Sequence, residues 1–237
     1  MKFVAGRRQL LKAALVPAAA AGAIPLRFVR DAAAAPAPAA PARVYFTDAE
    51  FAWVEAAVAR LIPNDALGPG AKEADVAVFI DHQLAGPYGR AETWYMQGPW
   101  KQGTPQQGYQ LKLSPAQLYR TAIADIDASS KTANGGKTFA ALDAATQDAM
   151  LHALEDGKLD LPNASAKDFF TILLQNTTEG FLADPMYHGN RDFAGWKLIG
   201  FPGPRYNYVD EIEQHGKRFT LPPVGLLGRD GTRTKDA

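Results

Sequence analysis

The chain of 237 residues contains no cysteine. Disulfides, iron–sulfur clusters and covalently attached c-type haem all need thiols, so none of them belongs to this chain. Packing alone must hold it together. No Gly-x-Gly-x-x-Gly follows a strand-like run. There is no phosphate loop, no His-Glu-x-x-His helix and no Gly-x-Ser-x-Gly elbow either. Strand-like runs are few and no internal repeat occurs. An excess of one charge is missing too, with 25 basic and 25 acidic residues. The first 34 residues hold six basic groups (Lys2, Arg7, Arg8, Lys12, Arg27, Arg30) and one acidic (Asp31). The remainder therefore carries 19 basic against 24 acidic residues, a net of −5. A mildly acidic body without basic stripes argues against a nucleic-acid partner.

What is present begins with a targeting segment. Arg7-Arg8-Gln9-Leu10-Leu11-Lys12 matches the twin-arginine export signal, with Arg7, Arg8, Leu10, Leu11 and Lys12 as its readable positions. A mild, Ala-rich apolar run from Ala13 to Leu26 follows, broken by Pro17 and Pro25. It is shorter than the ~20 apolar residues a membrane span needs. Small residues at 32–35 offer cleavage sites, with Ala34 the expected last leader residue. The twin-arginine translocase carries folded proteins. A leader of that kind on a chain without a cofactor motif points to a cofactor-bearing companion that travels with it. Residues 35–45 read as an Ala/Pro linker.

The rest reads as mostly α: a single-domain helical bundle over 46–206, with long aromatic-rich loops and an extended tail over 207–237. Thr47 and Glu50 form a capping box, with Phe46 and Phe51 placed as its hydrophobic staple. Phe51, Val54, Val58, Leu61 and Ile62 mark one face, and Pro63 ends the helix. Val76, Phe79, Ile80 and Leu84 mark a second helix, closed by Gly86-Pro87. Ser114-Pro115 starts a third, with Leu118, Tyr119, Ala122, Ile123 and Ile126 inward. Asp143 caps a fourth, carrying Met150, Leu151 and Leu154 inward, and Gly157 stops it. Ser165 caps a fifth, whose face is Phe169, Phe170, Leu173, Leu174, Phe181 and Leu182. Asn190 to Ile199 forms a short further helix, stopped by Gly200. The tail gains its order on a partner surface.

Two stretches carry a surplus of rings. Residues 88–113 hold Trp94, Tyr95, Trp100 and Tyr109 with little periodicity; irregular loops of this length are usually functional. Residues 178–203 hold Tyr187, Phe193, Trp196 and Phe201 among turn residues. Each such side chain buries roughly 150–250 Å². The rings pack into this chain's core or into a partner, and the sequence does not apportion them. The candidate interface set is Trp94, Trp100, Tyr187, His188, Asn190, Trp196 and Phe201.

The second stretch resembles the gluconate 2-dehydrogenase subunit 3 family. The matching residues are Glu179-Gly180-Phe181, Asp184-Pro185, Tyr187, Gly189-Asn190, Gly195-Trp196 and Gly200-Phe201-Pro202-Gly203. Upstream, Leu61-Ile62-Pro63, Gly68-Pro69-Gly70-Ala71 and Val78-Phe79-Ile80-Asp81 match as well, so the resemblance spans roughly Phe46 to Tyr206. It implies a non-catalytic small subunit of a periplasmic, inner-membrane-associated dehydrogenase complex acting on a sugar, polyol or sugar acid. FAD would sit in a large partner subunit and haem c in a multihaem cytochrome c subunit that passes electrons to quinone. The small subunit would stabilise the flavin subunit and supply its export signal.

A reading from another class stays beside it. Glu179, Asp184, His188 and Asp192 offer carboxylates and an imidazole, the ingredients of a divalent-metal or acid/base site. Their spacing fits no standard ligand pattern, and such residues in loops more often cap helices and bridge turns. On this reading the chain is a stand-alone periplasmic enzyme, or a ligand-binding protein, using the Glu179/His188 loop.

Overall fold

The computed structural model describes residues 42–101, 103–205 and 207–227. The twin-arginine residues, the leader and the linker as far as residue 41 lie outside the described residues. Six α-helices form: α1 (Asp48–Leu61), α2 (Val76–Ala85), α3 (Pro115–Ala133), α4 (Ala144–Glu155), α5 (Ala166–Leu182) and α6 (Ala194–Ile199). Among the described residues the only extended pairing is an isolated bridge between Asp65 and Gly68. No described helix is long and apolar enough to cross a membrane.

Side-chain caps fix four of the helix starts. Thr47 accepts the Glu50 N–H at 3.3 Å while Glu50 accepts the Thr47 N–H at 2.8 Å. Ser114 and Gln117 form the same reciprocal pair at α3. Asp143 accepts the Thr146 N–H at 3.0 Å, and Ser165 accepts the Asp168 N–H at 3.3 Å. Each cap satisfies a donor that the helix cannot, worth about 1 kcal/mol. α3 ends before Gly135 and Gly136, both at positive φ.

α5 is the central element and packs against every other helix. Beside it lies Trp53 of α1, fully buried, its ring 4.8 Å from Phe139 and 5.6 Å from Phe169. Tyr119 of α3 meets Phe169 edge-on at 5.3 Å. The α1 face differs from the one its apolar spacing marks. Trp53, Val54, Ala57 and Val58 are buried, whereas Phe51, Leu61 and Ile62 are only half-buried. The indole is the largest group available to fill the space against α5, and small Ala57 lets the helix roll toward it. On α4 Leu151 and Leu154 point inward, and Met150 is only partly covered. On α5 Leu174 and Leu182 turn outward instead of joining the core face.

Two polar features tie the bundle together. Buried Asp81 of α2 accepts three backbone N–H groups, from Val44 at 2.6 Å, Tyr45 at 3.0 Å and Phe46 at 2.7 Å. A carboxylate out of water is tolerable only with such partners. The last residues assigned to the linker are therefore clamped onto α2. Deeper in, the Tyr88 hydroxyl donates to Asn176 Oδ1 at 3.0 Å, and Asn176 Nδ2 donates to the Tyr119 oxygen at 3.1 Å.

Burial pushes the phenols of Tyr88, Tyr109 and Tyr119 up, Tyr119 most clearly because it is wholly enclosed. In the unfolded chain a phenol ionises near 10. The folded state keeps its protons where the unfolded state releases them, so this stability is complete below about pH 10 and is lost as pH rises further. Urea midpoints should be level from about pH 8 to 10 and fall above that. Phenolate absorbance of these residues should appear only with unfolding.

The described part of the tail is irregular, with a short 3-10 turn at Val209–Glu211, and its later residues pack against this chain. Val224 is buried and donates its N–H to the Pro202 carbonyl at 3.2 Å. Leu226 donates to Asp184 Oδ2 at 2.7 Å.

Candidate functional site

The ring-rich stretch 178–203 folds back against the end of α5. Gly189 and Gly195 permit this. A Cβ on Gly189 would lie 2.2 Å from the Gly180 carbonyl oxygen, and one on Gly195 would lie 2.0 Å from that of Phe181. Asp184 caps the short turn Pro185–Tyr187 by accepting the Met186 N–H at 3.1 Å. His188 follows in left-handed geometry, its ring centroid 4.1 Å from that of His82 on α2.

Asn190 is the centre of the turn. It is fully buried at φ 46°. Its Nδ2 donates to the Ala183 carbonyl at 2.8 Å, and its Oδ1 accepts the Gly195 N–H at 2.8 Å. The end of α5 and the start of α6 are thus joined through one amide. The Trp196 indole N–H donates to the Leu182 carbonyl at 2.7 Å. Its ring stacks on Phe193 at 5.3 Å and meets Phe201 edge-on at 4.9 Å.

The seven interface candidates divide accordingly. Asn190 and Trp196 are buried within the chain, and both side chains serve to lock α6 to α5. Trp94 and His188 are half-covered. Trp94 lies between Tyr88 at 5.7 Å and Tyr109 at 5.0 Å, a ring cluster inside this chain. Trp100, Tyr187 and Phe201 stand at the surface, exposed by 42%, 48% and 41%.

The four residues Glu179, Asp184, His188 and Asp192 do not assemble into a metal-ligand cluster. Glu179 accepts from Gln175 at 2.8 Å, Asp184 serves two backbone N–H groups, and the His188 ring lies against His82. Among the described residues no three His, Cys, Asp or Glu side chains come together to hold a metal ion.

A different feature comes forward, the outer face of α5. Leu174 and Leu182 are exposed by 41% and 36% on that face. Two shallow, mostly apolar depressions run along it. One, of about 500 Å³, includes Phe170, Thr171, Leu174 and Thr178. The next, of about 560 Å³, includes Phe79, Leu182 and Tyr187. They adjoin at Thr178 and Glu179, so two apolar patches lie along one strip from mid-α5 to the turn at Tyr187, parted by a polar pair. Scattered apolar groups are normal on a surface, but adjoining patches rimmed by polar side chains are the form of a protein contact.

The chain is thus a helical body with Asn190 and Trp196 turned inward and apolar side chains of α5 left outward. A sequence model of the family described as Gluconate 2-dehydrogenase subunit 3 matches residues 48–203. The chain belongs to that family, an accessory subunit of the gluconate 2-dehydrogenase subunit 3 type with dehydrogenase partners. No curated protein and no solved structure matches it.

Proposed function

We propose that this chain is the non-catalytic small subunit of a periplasmic, inner-membrane-associated FAD-dependent dehydrogenase, and that it holds the flavin subunit and brings it through the twin-arginine translocase. The observation that carries the reading is the uncovered apolar strip of α5 between Leu174 and Tyr187. The family supplies the identity of the partner class. The leader at Arg7-Arg8 supports the export role, because a pathway for folded cargo suits a subunit that assembles around a flavin before export. FAD belongs to the large partner on this reading, and haem c to a multihaem cytochrome c subunit that accepts the electrons. The complex oxidises a CH–OH group of a sugar, polyol or sugar acid. This chain's own residues bind and orient the large subunit and shield its apolar surface from water.

The test is a leader substitution. With Arg7→Lys and Arg8→Lys together, both this chain and the flavoprotein should remain in the cytoplasm, and periplasmic dehydrogenase activity should fall by more than about tenfold. Export of the flavoprotein at its normal level in that strain would refute the co-transport role.

A further inference from the structure

The apolar strip is not the only opening along α5. Residues 94–101 and 107–110 and the first half of α5 line an open cleft of about 1100 Å³, roughly twice either depression on the strip. Its chemistry also differs. Rings from Tyr95, Trp100 and Tyr109 share the lining with the amides of Gln97 and Gln110 and the carboxylate of Asp168. Neither Gln97 nor the Asp168 carboxylate is taken up by a side-chain hydrogen bond among the described residues. One wall is built in advance. Tyr109 packs against Trp94 at 5.0 Å and donates its hydroxyl proton to the Leu113 carbonyl at 2.6 Å.

We propose that this cleft binds a polyhydroxylated ligand, a sugar or sugar acid of one to a few rings. Aromatic faces offer apolar surface to the C–H faces of such a ring. Every sugar hydroxyl both donates and accepts, and amides and a carboxylate together supply both complements. Lys101 and Lys167, also in the lining, add charge for a carboxylated sugar. A proline-rich peptide is the other ligand that ring-lined grooves take. It offers carbonyl acceptors and few donors, so Asp168 and the amide oxygens would be left unpaired and desolvated. Another protein surface suits the apolar strip better than this mixed lining. The site goes beyond the docking role and does not depend on it.

The experiment is calorimetric titration of the exported full chain, alone and with whatever partner co-purifies. The probes are D-glucose, D-gluconate, D-sorbitol and maltotriose, with a proline-rich peptide as the competing class. At least one sugar or sugar acid should give saturable binding in the millimolar range. Trp100→Ala should weaken it about tenfold, with Trp100→Phe recovering part. Asp168→Asn should weaken it independently, while helicity by circular dichroism stays unchanged in every variant. Gluconate binding more tightly than glucose would place the lysines in the site, within the proposal. No saturable sugar binding, binding unchanged in both Trp100→Ala and Asp168→Asn, or saturable binding of the peptide alone would each overturn it.

Discussion

Asn190→Ala should cost the chain about 3–7 kcal/mol of stability, a large share of what a domain of this size holds. Two losses add. The Ala183 carbonyl and the Gly195 N–H, both now paired with the Asn190 amide, would be left without partners, at about 1–3 kcal/mol each. Alanine at φ 46° adds about 1 kcal/mol of backbone strain that asparagine tolerates better. Asn190→Gly isolates the second term. It should recover about 1 kcal/mol, because glycine accepts the left-handed geometry but restores neither hydrogen bond. Urea denaturation of the exported chain measures both. A near-neutral Asn190→Ala that nonetheless sheds the flavoprotein would return this residue to the interface.

The contrast between Asn190 and the caps explains what the sequence reveals. Thr47, Ser114, Asp143 and Ser165 act on backbone groups three residues away, so local spacing is enough to read them. Gly135, Gly157 and Gly200 end helices for an equally local reason, their positive φ. The fold class and most helix starts were legible on these grounds. Asn190 also lies in turn chemistry, but its two partners are set by how α5 and α6 meet. Nothing in the local string distinguishes an inward amide from an outward one. Trp53 escaped for a similar reason. The apolar stripe of α1 is centred on Phe51, Val54 and Val58, and the helix is rolled by roughly 60° from it to seat the indole against Phe139 and Phe169.

The outward leucines did leave a signal. Wound at about 100° per residue, Leu182 falls opposite the arc shared by Phe169, Leu173 and Gly180, and Leu174 falls about 120° away from its centre. Too many apolar residues for one face is what a helix shows when its far side also meets something. A single-face reading absorbed them into the core. The rings of 178–203 misled in the opposite direction. Trp196 attracts attention as an interface anchor, yet its indole N–H is spent on the Leu182 carbonyl and its faces on Phe193 and Phe201. Trp196→Ala should therefore unfold α6 rather than merely release a partner.

That distinction sets up the decisive variants for docking. Leu174→Glu combined with Leu182→Glu should abolish co-purification of the flavoprotein, weakening the pair by at least about 100-fold, while the chain itself stays folded. The first half follows from desolvation: two carboxylates placed in an apolar contact must be stripped of water with no partner waiting, at several kcal/mol each. The second half follows from exposure. Leu174 and Leu182 are 41% and 36% accessible, and surface changes away from caps and strained turns usually stay within about 0.5 kcal/mol. Tyr187→Ala, at the end of the same strip, should weaken the pair by a smaller factor. Val209→Glu supplies the control, being 66% exposed and outside both depressions. It should leave binding unchanged. If the double glutamate variant still retains the flavoprotein, the docking face lies elsewhere, and Leu198, Ile199 and Phe201 at the far end of α6 become the next surface to charge. A chain that keeps its urea midpoint but loses its companion separates binding from folding. No substitution at the buried Asn190 or Trp196 can do that, because there the two losses arrive together.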